Sequence, residues 1–114
     1  MFNFENLTVY QKSVEFANEI YDSTSHWQKT HIYTIIDQLR RASLSISLNI
    51  AEGSSRTKLE FKRFLSISRG SCFECVPIIE IAYKQNLIDE KTKTKWLEEL
   101  VILAKMLSKL KSSL

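Results

Sequence analysis

Residues 38–53 read QLRRASLSISLNIAEG. At roughly 100° per residue, Leu39, Ser43, Ile46 and Ile50 share one side of a helix, whereas a half-buried strand would alternate apolar and polar positions. Ile32, Ile35 and Ile36 extend the same stripe upstream. The spacing therefore predicts a helix over about 31–52, with Thr30 as its cap and Gly53 as a left-handed stop.

Working outward, three further segments show the same period. A first helix is expected over about 8–25, opened by a capping box between Thr8 and Gln11. Val9, Phe16 and Ile20 form its main stripe, with Tyr10, Val14, Ala17 and Tyr21 in a second row beside it. A third helix is expected over about 58–85, capped by Thr57 with Glu60, its inner face running from Phe61, Phe64 and Leu65 through Ser68, Ser71, Cys72, Cys75 and Ile79 to Ala82. Pro77 lies within it and is expected to kink the helix without ending it, because the stripe continues beyond. Asn86 and Leu87 make a tight connection. Asp89 then caps a fourth helix over about 89–111, with Trp96, Leu97, Leu100, Leu103, Ala104 and Leu107 inward and a fraying tail at Ser112–Leu114.

Composition agrees with this all-α reading. The chain has 114 residues, the size of one domain, with 44% hydrophobic and 25% charged residues. It has two glycines and one proline, too few for a turn-rich sheet protein. Four amphipathic helices with short links predict an antiparallel up-down-up-down four-helix bundle. Met1–Val14 shows no secretory signal, and apolar runs such as Leu100–Ala104 are too short to cross a bilayer. A cytoplasmic location is expected.

The faces opposite the core carry more apolar surface than a monomer should leave in water. Leu44 and Leu48 fall opposite Leu39, flanked by Ala51 and Tyr33, and Phe73 falls opposite Phe64 with Val76 nearby. A contiguous patch of this kind predicts a homo-oligomer interface through Tyr33, Leu44, Leu48, Phe73 and Val76. The alternative is an irregular bundle that covers these residues itself. Gln38, Arg41, Ser45, Asn49 and Glu52 form a polar stripe on the second helix, either solvated or specifying register at a helix or subunit contact.

The formal charge of +3 is mild, but it is unevenly distributed. Arg40, Arg41, Arg56, Lys58, Lys62, Arg63 and Arg69 stand against only Glu52 and Glu60, while the first-helix region has Glu5, Glu15, Glu19 and Asp22 against Lys12. The basic residues are candidates for contact with an RNA or DNA backbone, without base readout. The competing reading is a solvated surface, or one paired with a neighbouring subunit's acidic helix, on a scaffold for a protein partner.

Catalysis has little support. Two histidines, His26 and His31, have no evident nucleophile partner, and no glycine-rich phosphate loop is present. Cys72 and Cys75 match a C-x-x-C spacing, but they sit mid-helix on an apolar face without two further ligands, so they read as small core residues. No metal, cofactor or enzymatic activity is expected.

The stretch from Gln38 to Arg56 also resembles the signature of a bacterial family of small four-helix-bundle proteins, first noticed as products of intervening sequences within 23S ribosomal RNA genes. Residues 7–13, Phe61, the Phe64–Leu65 pair, and Arg69-Gly70-Ser71 with Glu74 agree with it. The resemblance implies a cyclic oligomer, a pentamer being the known form. It also points to relatives that include the accessory protein of diversity-generating retroelements, whose basic surface engages nucleic acid and a reverse transcriptase. Cys72, Cys75 and Pro77 depart from the pattern.

Overall fold

The computed structural model describes the backbone throughout and the side chains of residues 1–30 and 34–114. Four α-helices carry the chain: α1 (Thr8–Thr24), α2 (Asp37–Ser54), α3 (Lys58–Lys84) and α4 (Glu90–Ser112). No strand occurs among the described residues. At about 1.5 Å per residue the 27-residue α3 spans roughly 40 Å. The longest dimension of the molecule is 42 Å against 22 and 21 Å across, so α3 sets its length.

The core draws on all four helices: Phe16 and Ile20, Leu39, Ile46 and Ile50, Leu65 and Ile79, and Trp96, Leu103 and Leu107 are all buried. Burial of each such side chain contributes about 1.5–3 kcal/mol. These are the stripes that the helical period picks out. Around the bundle, α1 touches α2, α2 touches α3, α3 touches α4, and α4 returns to α1.

The α2–α3 seam is made by small residues. Ser68 Oγ donates to the carbonyl of Ile46 at 2.8 Å, deep in the core, and the Ser45 and Ser71 hydroxyls meet at 2.8 Å. Nearer the connection, Gly53 lies against Phe61 and Phe64. A Cβ built there would sit 2.6 Å from Phe64 Cβ and 3.0 Å from Phe61 Cδ1. The expected left-handed stop at Gly53 is therefore corrected: no glycine has positive φ, and α2 continues to Ser54. Gly53 is required because its helix passes too close to α3 for any side chain.

Helix ends follow mixed rules. Thr57 caps α3, its Oγ1 accepting from the Glu60 N–H at 3.2 Å, and Asp89 caps α4 by accepting from the Thr92 N–H at 2.8 Å. The Thr8–Gln11 box does not form. Thr8 is already inside α1, and Gln11 Nε2 instead donates to the Glu5 carbonyl at 2.8 Å, tying α1 to a 3-10 turn at Asn3–Asn6. Nor does an α-helix open at Thr30. A 3-10 turn (Lys29–His31) and a π-helical turn (Ile32–Ile36) precede α2. α3 runs through Pro77 and ends where Asn86 takes φ of 61°, with Leu87 N–H donating to Ala82 O and Asn86 N–H to Tyr83 O. That is the Schellman pattern, which asparagine tolerates. The C-terminal tail is held: Leu114 packs against the core.

The two glycines give opposite predictions. Gly53→Ala should cost about 1–3 kcal/mol by overpacking the α2–α3 seam. Gly70 sits mid-helix with nothing within 4 Å of a built Cβ, so Gly70→Ala should gain about 0.5–1 kcal/mol from helix propensity. Urea midpoints measured on isolated variants at low protein concentration, with unchanged slope, check both.

Candidate nucleic-acid interface

The basic residues divide into those used by the fold and those left to solvent. Arg40 lies against the end of α1: its Nε donates to Thr24 Oγ1 at 2.8 Å, its Nη2 reaches the Tyr21 carbonyl at 3.4 Å, and its guanidinium stands 4.0 Å over the Tyr21 ring. It supplies positive charge where the helix leaves unpaired carbonyls. Arg56 bridges the α2–α3 connection, pairing with Glu52 at 2.7 Å and Glu60 at 3.7 Å and lying 5.4 Å over Phe64. Arg41 pairs with Asp37 at 3.5 Å on the surface.

Lys58, Lys62, Arg63 and Arg69 remain. Among the described residues none of the four has a carboxylate within ion-pair distance. Lys62 and Arg69 line a groove of about 460 Å³ between α3 and α4, and the last turns of α4 complete it with Lys111, whose Nζ donates to Ser66 Oγ at 2.8 Å. Lys105 and Lys109 are exposed on the same end of α4. These three α4 lysines lie outside the expected basic set, because about forty residues separate them from the 40–69 run. Their sequence signal was Lys109 and Lys111 in the terminal helical turn, which the helix dipole alone explains, with Lys105 one turn before.

The proposed apolar patch is not one surface. Leu44, Leu48 and Phe73 are exposed as expected. Phe73 and Val76, however, face a groove of about 580 Å³ between α3 and α4, with Leu97, Leu100 and Val101 on its far wall and the Arg69 guanidinium 4.8 Å over the Phe73 ring. Leu44 and Leu48 lie on α2, outside that groove. Helical twist alone places a residue opposite its own core stripe, but it does not say which neighbouring helix stands there. Tyr33 lies outside the described residues.

The polar stripe is partly internal. Asn49 Nδ2 donates to the Ser45 carbonyl and hydroxyl at 2.8 and 3.0 Å, and Ser45 meets Ser71 across the seam, so these residues join α2 to α3 within one chain. Gln38 and Arg41 border a shallow groove with Glu74, and Glu52 is held by Arg56.

A different polar site lies between α1 and α4. Lys95 bridges Glu19 and Glu99, and Lys12 and Glu15 line the same groove. Partial burial, then the neighbouring Glu19 carboxylate, push Glu99 up to about 6. Burial likewise pushes the Cys72 thiol up to about 12 and raises Cys75, which fits small core residues and not a reactive pair. No cluster of potential metal ligands occurs among the described residues, and none of their helices is long and apolar enough to cross a membrane.

Comparison with known proteins places the chain. The model of the family described as 23S rRNA-intervening sequence protein matches residues 5–109. Among solved structures, one from Bacteroides thetaiotaomicron, described as a protein with unknown function from the S23 ribosomal protein family, is similar with a TM-score of 0.80. It is 21% identical, and the match covers 91% of this chain and 98% of that one, so the likeness concerns the fold. No curated protein matches the sequence.

Two outcomes follow from the geometry. Because Glu99 holds its proton more tightly in the folded chain than when unfolded, its contribution is full below about pH 4.5 and is lost as pH rises through about 6. Wild type minus Glu99→Gln should therefore show relative stability falling between pH 5 and pH 7, read as a difference in Tm. Native Cys72 and Cys75 should resist alkylation at pH 8, with labelling by iodoacetamide appearing only in denaturant.

Proposed function

The chain belongs to the 23S rRNA-intervening sequence protein family, and from that footing we propose that it is a non-catalytic, cytoplasmic binding protein that engages the backbone of RNA or DNA through the basic edge shared by α3 and α4. The carrying observation is the groove in which Lys62 and Arg69 meet Lys111 with no carboxylate among its lining residues. Phosphates require cations that the fold has not already neutralised, and here those cations come from two helices. Arg40 and Arg56 belong to the scaffold that holds the edge in place, and the readout is of charge and not of bases. The contact pairs Ser45–Ser71, Ile46–Ser68 and Gly53–Phe64 support the antiparallel up-and-down course of the bundle. Self-assembly, with the pentamer that the family resemblance implies, multiplies the basic edge around a ring.

A second reading draws on Phe73. An exposed aromatic in an apolar groove suits a scaffold for a protein partner with no nucleic-acid role.

Binding of random-sequence RNA and DNA, followed by fluorescence anisotropy from 50 to 200 mM salt, separates the two. The proposed reading requires affinity that falls steeply with salt. In the triple variant Lys62→Ala, Arg63→Ala, Lys111→Ala, the salt slope should drop by roughly one per cation removed, with fold and mass unchanged. Absence of binding at low salt, or an unaltered slope in the variant, would refute it.

A further inference from the structure

The two grooves between α3 and α4 are one trough. Arg69 and Ser108 line both the basic groove that holds Lys62 and Lys111 and the apolar groove that holds Phe73 and Val101. On α3, Lys62, Arg69 and Phe73 stand seven and four residues apart, which sets them on one helical face. At 1.5 Å per residue, roughly 16 Å of helix separates Lys62 from Phe73. No carboxylate lines either groove. Glu98 lies past Val101 in the adjoining depression, and Glu74, although next to Phe73 in the chain, borders α2 with Gln38 and Arg41.

Within this trough Phe73 is 58% exposed, with the Arg69 guanidinium 4.8 Å from its ring centroid. Arg69 has no carboxylate within ion-pair distance among the described residues, so its charge is not neutralised by the fold. An aromatic ring and a guanidinium plane are the two protein surfaces on which unpaired bases stack. An occupant of the trough has to cover apolar surface and answer cations together. A duplex matches the cations but keeps its base faces stacked on one another. An apolar protein segment covers the ring but leaves Arg69, Lys105 and Lys111 unanswered. A single strand brings both, base faces for the ring and phosphates for the cations.

We propose that the trough receives single-stranded nucleic acid, an unpaired base stacking on Phe73 while the neighbouring phosphates lie along Arg69, Lys62 and Lys111. This rests on the preceding nucleic-acid reading and adds strandedness to it. Every base has an aromatic face, so the contact selects for an open strand without reading sequence.

The test replaces the ring and leaves every cation in place. Fluorescence anisotropy follows a labelled oligo(dT) strand and a hairpin duplex with the same number of phosphates, at one low salt concentration and then along a salt series. Phe73→Leu keeps the groove apolar but removes the stacking surface. It should weaken strand binding about tenfold, leave duplex binding unchanged, and keep the salt slope of both. Phe73→Trp should hold wild-type strand affinity. Helical circular dichroism and the mass from light scattering should match wild type in both variants. Strand binding unaltered by Phe73→Leu, an equal loss on strand and duplex, or Phe73→Trp binding no better than Phe73→Leu overturns the stacking site while leaving backbone recognition standing. A smaller mass for Phe73→Leu overturns it too, because the ring then belongs to a contact between protein chains. Failure of wild type to bind either probe at low salt overturns both readings.

Discussion

The close approach of α2 to α3 is the constraint from which the remaining geometry follows. Gly53 leaves no room for a Cβ beside Phe61 and Phe64, and the Ser68 hydroxyl spends its hydrogen bond on the backbone of Ile46. A buried hydroxyl with no partner would cost about 1–3 kcal/mol, so this contact favours one register over its neighbours. No buried side-chain nitrogen or oxygen among the described residues lacks a partner. With the seam fixed, the inward faces of α2 and α3 fix the core, and the basic first half of α3 is held where the end of α4 comes alongside.

Electrostatics divides along the same lines. Cations near the helix connections serve folding: Arg40 completes the end of α1, and Arg56 ties Glu52 to Glu60 across the α2–α3 turn. Each surface pair is worth little alone, but together these contacts engage three of the seven arginines and lysines of the 40–69 run with partners in the same chain, once Arg41 and Asp37 are included. The cations left over gather along the first half of α3 and the last turns of α4, while α1 carries Glu15, Glu19 and Asp22 against Lys12. Folding therefore sharpens a charge asymmetry that the net charge of +3 conceals.

Much of the fold was legible because helical periodicity is local. The stripes that include Leu39, Ile46 and Ile50, or Trp96, Leu103 and Leu107, are buried as the spacing requires. Thr57 and Asp89 cap as their side-chain chemistry dictates. The errors arose where two local rules competed or where a distant helix decided. Gly53 resembled a helix stop but answers to Phe64, eleven residues away, and the α2 start was displaced by the turns at Lys29–Ile36.

The sequence by itself determined which segments are helices, which face of each is apolar, and that apolar residues such as Leu44, Leu48 and Phe73 remain outside the core. All of these follow from a 3.6-residue period and side-chain chemistry within a few turns. Only the tertiary structure decided which surfaces join. It set Phe73 with Val101 of α4 and away from Leu48, added Lys111 to Lys62, and assigned Arg40 to α1. The physical reason is that a helix wheel gives an angle about one axis, while a site is made where two axes meet, and that meeting is set by the packing of small residues far along the chain.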